Sequence, residues 1–408
     1  MSSPATANQG EVARTIAGLV VLFGLAWLAG HPKLARFEQR AKVNPLIVTG
    51  FVFVLLGSLA AQQWVGILTY TVLNAIAPIV PLGLGWLGFR IGFSYDHSIL
   101  DSSPPASGVL LAIIFPLLFT AAGCALVIFA LNPENLANPD LWRDVSLCAV
   151  AAAMTSAISL RTHASRRPDV LSADALSRFA EVEQAIGILG LMFIAVYFRP
   201  TGDAVAWKLP PVAWLFVTLG VGLAMGVLAY GLLRATPKGP PFVVILIGVI
   251  CMSAGMASFL RLSVVAVCFL VGLIVANFPG DWKPQVEVVL ERMARPIVFI
   301  LLVVAGALWS PFDWRGWALM GIFVVARLAG KTVGLWAAGR AGVSTLQKTE
   351  RQAIALAPVG VFAIAIIISA RDLYPGALVQ IMLTAVIGAA FFSEIILLAV
   401  FPRLPQRT

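Results

Sequence analysis

Apolar runs of about 18 to 25 residues recur along the whole chain, separated by short polar stretches and by Pro- or Gly-containing breaks, and this pattern limits the fold severely. A helix of that length crosses a hydrocarbon core of roughly 30 Å, whereas a membrane-spanning strand would be about half as long and would alternate in polarity. Over 408 residues, 60% are hydrophobic and only 12% charged, against about 25% charged in soluble domains. The pattern predicts an all-α polytopic membrane protein with about thirteen spans. The first six are Thr15 to Gly30, Pro45 to Ala61, Gly66 to Phe89 with kinks at Pro78 and Pro81, Gly108 to Leu131, Leu141 to Leu160 and Ala175 to Phe198. The next four are Pro211 to Leu233, Pro241 to Leu260, Ser263 to Phe278 and Pro296 to Trp309, and the last three are Gly316 to Ala338, Ala353 to Ala370 and Gly376 to Phe401.

A formal charge of +9 would suit a nucleic-acid partner if it formed one stripe, but the basic residues sit in short loops between the runs, so none is expected. Membrane topology accounts for them. With the N-terminus outside, the inner loops and C-terminal tail hold about 19 Lys and Arg against about 7 outside, Arg327 and Lys331 lying within a span. The expectation is a multi-pass protein of the cell membrane, N-terminus out and C-terminus cytoplasmic, with the polar first fourteen residues a tail lacking the basic region of a signal peptide. Cys124, Cys148, Cys251 and Cys268 fall in apolar runs without CxxC spacing and read as small core residues. His31, His97 and His163 each lie in or near a loop with no nucleophile motif or metal spacing, and no GxGxxG follows a strand, so neither an enzyme nor a cofactor is expected.

Ionisable side chains at membrane depth are costly unless paired or hydrated, so each marks a functional position. In SRFAEVEQAIGILGLMF, with Asp174 as N-cap, Glu183 sits about 14 Å deep. Arg178 and Glu181 read as an i,i+3 pair nearer the interface. VVARLAGKTVG puts Arg327 and Lys331 on one face at i,i+4, at a depth overlapping that of Glu183; two buried cations need anions, unless Lys331 snorkels to the interface. Thr155 and Ser156 interrupt the fifth span and Ala357, Pro358 and Gly360 the twelfth, at similar depth. Those spans are seven apart, an odd offset that makes equivalent helices run in opposite directions, as an inverted repeat requires. Glu394 is also intramembrane and could pair with a basic residue of a neighbouring helix.

This order of features resembles the monovalent cation/proton antiporter superfamily, particularly its thirteen-span sodium/proton branch. MTSAISLRT looks like the family's first broken helix, AEVEQAIGIL occupies the place of its acidic pair, RLAGKTVG that of its Gly-Lys span and LAPVGVFAI that of its second broken helix. The resemblance implies inverted repeats with two crossed discontinuous helices. It also implies exchange of a monovalent cation, Na⁺ or K⁺, for protons at a site built from Glu183, Gln184, Thr155 and Ser156, with Lys331 and Arg327 as charge partners. The family carries Asp-Asp or Asn-Asp where this chain has Glu183 and Gln184. The implied layout is an N-terminal tail over 1–14, scaffold and dimerisation helices over 15–107 and 241–309, core helices over 108–198 and 310–401, a connector over 199–240 and a tail over 402–408. It would form a homodimer in the lipid bilayer. Two other functions stay open at this stage, a transport-inactive sensor or membrane partner with Glu183 and Lys331 as a locked pair, and a proton-coupled carrier of anions or organic acids on a similar fold.

Overall fold

The computed structural model describes residues 50–62, 77–96, 106–131, 138–165, 171–199, 209–236, 239–344, 346–374 and 377–400, with scattered positions over 18–24 and 67–75. Those residues form helices and no strand. In chain order they are α1 (Phe51–Ala60), α2 (Ile79–Phe93), α3 (Ala106–Leu131), α4 (Pro139–Ala153), α5 (Ala157–Ala164), α6 (Ala173–Tyr197) and α7 (Pro211–Ala235). The remainder are α8 (Pro240–Phe259), α9 (Val264–Asn277), α10 (Lys283–Leu308), α11 (Trp314–Arg340), α12 (Lys348–Leu356), α13 (Val361–Leu373) and α14 (Ala377–Val400). They correspond to the second to thirteenth expected spans, the fifth and twelfth each split in two. The first, Thr15 to Gly30, falls almost wholly outside the described residues.

The solvent this fold is built for is visible in what it exposes. Phe216, Phe259, Leu126 and Val325 are about two-thirds exposed, while Glu183, Arg327 and Lys331 are fully buried. That is the inverse of a water-soluble surface and fits a bilayer, where polar groups must be satisfied within the protein. Eight helical segments among the described residues are long and apolar enough to cross a membrane, and α1, α2 and α9 are shorter apolar helices. The chain is a multi-pass membrane protein.

Helix starts follow ordinary capping chemistry. Asn138, Ser156, Ser172, Ser263 and Asp313 each accept a hydrogen bond from a backbone N–H in the first turn that follows. Ser172, not Asp174, therefore caps α6, and Asp174 lies in its first turn, where an acid favours the helix N-terminus. α10 corrects a larger expectation. It begins at Lys283, thirteen residues before the expected start at Pro296, and runs through that proline. Val286, Leu290 and Ala294 recur at i,i+4 and are buried, so the charged first half is an amphipathic extension of the span. The early part of the expected third span lies largely outside the described residues, and its later part runs to Phe93. α2 begins at Ile79 behind Pro78, and Pro81 stands in its first turn, where a missing N–H breaks no helical bond. Cys124, Cys148 and Cys268 are buried as expected, but Cys251 is exposed on α8.

Several helix pairs approach backbone to backbone, two of them through a glycine on each side. A Cβ on Gly88 would meet the carbonyl of Val265, and one on Gly272 the carbonyl of Phe89, between α2 and α9; Gly57 and Gly306 stand likewise against Val303 and Val54 between α1 and α10. Small residues let membrane helices pack this closely, where packing and not hydrophobic exclusion drives association. Gly272→Ala is expected to force α2 and α9 apart and to cost about 1–3 kcal/mol, read as a lower midpoint on heating in detergent; an unchanged midpoint would show that the pair gives way freely. Elsewhere α11 packs along α3 and against α14, and α4 against α3. This cluster surrounds the place where the two split spans meet.

Candidate functional site

The two splits are short stretches of extended backbone. α4 ends at Met154 (φ −77°, ψ 142°) and α5 starts after Ser156 (φ −74°, ψ 105°). α12 ends at Ala357 (φ −60°, ψ 142°) and α13 starts after Gly360 (φ −84°, ψ 166°). Pro358 has no N–H to continue the helix, which is why the twelfth span opens there. The segments touch: Ser156 N donates to the carbonyl of Pro358 at 3.0 Å, and a Cβ on Gly360 would stand 3.2 Å from Ser156 Cα and 3.3 Å from Thr155 O.

Opening a helix inside a membrane leaves carbonyls that need donors. Arg327 of α11 supplies them. Its Nε donates to Ala152 O at 3.0 Å, Nη1 to Ala357 O at 2.7 Å and Nη2 to Met154 O at 3.2 Å. One guanidinium thus caps the C-terminal ends of α4 and α12 together, where the partial negative charge of each half-helix favours a cation. Gln184 of α6 donates from Nε2 to Thr155 O at 3.2 Å.

One turn along α11, Lys331 Nζ donates to Glu183 Oε1 and, at 3.0 Å, to Thr155 Oγ1. Both members of the ion pair are fully buried, and Glu183 Oε2 has no hydrogen-bond partner among the described residues. Lys331 therefore does not snorkel. The structure brings all of Thr155, Ser156, Glu183, Gln184, Arg327, Lys331, Ala357, Pro358 and Gly360 to one crossing. In charge, the crossing holds among the described residues two cations, Arg327 and Lys331, and one carboxylate, Glu183.

A polar route leads to it. Between α2, α5, α6, α9 and α10 lies a cavity of about 490 Å³ lined by Arg90, Arg161, Asp174, Glu181, Lys283 and Glu287 among others. A smaller one of about 110 Å³ shares Arg90, Arg161 and Glu181 and reaches Ser156, Gln184 and Gly360. The charged half of α10 that the apolar pattern missed supplies part of this wall. Glu181 pairs with Arg161 of α5 at 3.5 Å, a partner across helices that i,i+3 counting along α6 cannot reveal. A further cavity of about 570 Å³, near Pro78, Ser258 and Leu373, includes none of the crossing residues.

His163 lies in the last turn of α5, near a loop as expected, but it is buried, 2% exposed, with Nε2 3.1 Å from Glu394 Oε1. Ser159 and His163 share one face of α5 at i,i+4, and that spacing was the available signal.

The comparisons agree with this geometry. Residues 51–403 match the family profile for the transmembrane region of sodium/hydrogen exchangers. A search of curated protein sequences returns no significant match. Among solved structures, the fold is similar to that of the sodium/proton antiporter MjNhaP1 from Methanocaldococcus jannaschii at pH 8, with a TM-score of 0.66, 15% identity, and 97% of this chain and 98% of that one covered. It is similar also to an electron-microscopy structure of the same antiporter, with a TM-score of 0.62, 16% identity, and 95% and 96% covered. At such identities the likeness speaks for the fold, which is that of an antiporter with inverted repeats and two crossed discontinuous helices. With the family profile matched over most of its length, the chain belongs to the sodium/hydrogen exchanger family.

Proposed function

We propose that this protein is a secondary active transporter that exchanges Na⁺ or K⁺ for protons by alternating access at the helix crossing. The observation that carries the reading is the Lys331–Glu183 pair, fully buried at the helix crossing, with a polar cavity that ends at the neighbouring Gln184 and Ser156. Exchange through one site needs a group that holds a proton or a cation but not both. Glu183 is such a group, and Lys331 is the internal cation that occupies it when neither is bound. An arriving cation displaces Lys331 from the carboxylate; Thr155, Ser156, the Gln184 amide oxygen and the opened backbone supply further hard oxygens of the kind alkali cations take. A proton arriving from the other side neutralises Glu183 and releases the cation.

The cavity ending on Ser156 and Gln184 supports access from the α5 side in this state. Alternating access then follows from motion of α3–α6 and α11–α14 against α1, α2 and α8–α10, with α7 as the connector, in a homodimer in the cell membrane with the N-terminus outside and the C-terminus cytoplasmic.

Proteoliposomes with a trapped pH dye test this. Na⁺, K⁺ or Li⁺ added in turn should drive proton flux through the wild type with at least one of them, and Glu183→Ala should reduce it to the level of empty vesicles. No flux with any cation, from protein shown to be folded and inserted, would replace the reading with that of a locked ion pair in a sensor or membrane partner.

A further inference from the structure

The crossing lacks an acid on one side. Arg327 is matched by the C-terminal ends of α4 and α12, and Lys331 by Glu183. The N-terminal ends of α5 and α13 are the positive ends of their half-helices, and the residues beside them, Ser156, Gln184 and Gly360, are neutral. The acid of the cavity there, Glu181, is paired with Arg161 at 3.5 Å, and a second cavity brings another. Ser156, Pro358 and Val361 share a space of about 30 Å³ with Glu394 of α14, its other walls apolar, among them Val54 and Leu302. That is room for about one water molecule between the crossing and a second buried carboxylate.

Glu394 is 1% exposed, and each of its oxygens has one partner. Ser159 Oγ donates to Oε2 at 2.8 Å, and His163 Nε2 lies 3.1 Å from Oε1. Among the described residues, His163 is the ionisable group within hydrogen-bond distance of Glu394. On the helices packed around α14, Arg327 and Lys331 turn to the crossing, Asp144 of α4 pairs with Arg143, and Glu350 of α12 accepts from Gln347 N and Ser172 N. Arg371 of α13 is at the opposite end of its helix from Val361, and α1 carries no charge over Phe51–Ala60. A lone ionised carboxylate in such surroundings is strongly disfavoured, and a carboxylate beside an imidazole meets the cost by holding one proton between them.

We infer that Glu394 and His163, oriented by Ser159, form a second proton-binding site of this exchanger, joined to the crossing through the cavity at Ser156. It supplies on the α5 side the titrating acid that Gln184 does not. The inference rests on the exchange reading, and its failure is separable from the failure of that reading.

Two measurements on the full-length protein decide it. In proteoliposomes, Glu394→Gln and His163→Gln should each shift the midpoint of cation-driven flux against pH by about one pH unit, a tenfold change in proton affinity, and the double variant should shift it no further. Active variants with the wild-type profile would overturn the second site and leave exchange at Glu183 standing. Wild type without flux would remove the exchange reading and with it the site's transport role. ¹⁵N spectra of the imidazoles then test the dyad itself. The chain has three histidines, and loss of one signal in His163→Gln assigns the resonance. The His163 titration should move by about one unit in Glu394→Gln, or in Glu394→Asp if the glutamine variant does not fold. A titration indifferent to either change would overturn the dyad.

Discussion

Arg327→Lys should unfold this protein more readily than most changes at the site, although charge and approximate length are kept. A single ammonium cannot reach Ala152 O, Met154 O and Ala357 O together in the fork geometry of a guanidinium. Each buried carbonyl left without a donor costs about 1–3 kcal/mol, so a loss of roughly 3 kcal/mol or more is expected, and Arg327→Met should lose more still. The midpoint on heating in detergent reads the loss, and faster amide exchange over 152–156 and 354–360 would localise it. A midpoint equal to wild type in Arg327→Lys would mean that the split helices hold each other without the clamp. Arg327 is in this sense a positioning residue. It touches neither oxygen of Glu183 in the bonds it makes, and its work is on the backbone.

Lys331→Met should be nearly as damaging for a different reason. It leaves Glu183 fully buried with Oε2 unpartnered and Oε1 stripped of its cation. Removing one partner of a buried pair typically costs about 3–5 kcal/mol, because the remaining charge has nowhere to go. Glu183→Gln alone leaves the buried ammonium without a counter-charge, with only neutral acceptors, the new amide oxygen and Thr155 Oγ1, around it. The double variant Glu183→Gln with Lys331→Met removes both charges and should recover most of the stability while restoring no flux. That split distinguishes a pair serving transport from one serving assembly alone. Additive losses in the double variant would show that the two side chains are not coupled.

Much of this site could be read from the chain because each part breaks a rule of its surroundings. Glu183, Arg327 and Lys331 are charges inside apolar runs, and Pro358 is a proline inside one. The seven-span offset of the two interruptions pointed to an inverted repeat, and the family resemblance implied that the two helices cross. The partners of Arg327 were not legible, because they are backbone carbonyls and the sequence spells only side chains. The first half of α10 was lost to a search for apolarity, since its buried stripe of Val286, Leu290 and Ala294 is interleaved with Glu287, Glu291 and Arg292. Glu394 stood out as an intramembrane acid, but its partner did not, for His163 follows a helix break and such a position resembles a loop. What joins them is a tertiary approach over 231 residues of chain.

The split in the fifth span also sets an order of events during synthesis. α5 has eight residues and α12 nine, each about 12–14 Å long, so neither can enter a 30 Å core alone. The groups that hold the first split open come late: Arg327 lies 175 residues after Ala152, and Pro358, which accepts from Ser156 N, later still. Gln184, 29 residues on, can serve Thr155 O early, but until the later groups emerge from the ribosome Met154 O and Ser156 N have only their own helix to bond with in lipid. The fifth span is therefore expected to insert as one continuous helix and to be opened afterwards by the second half of the chain, which would make the crossing the product of a late rearrangement within the bilayer.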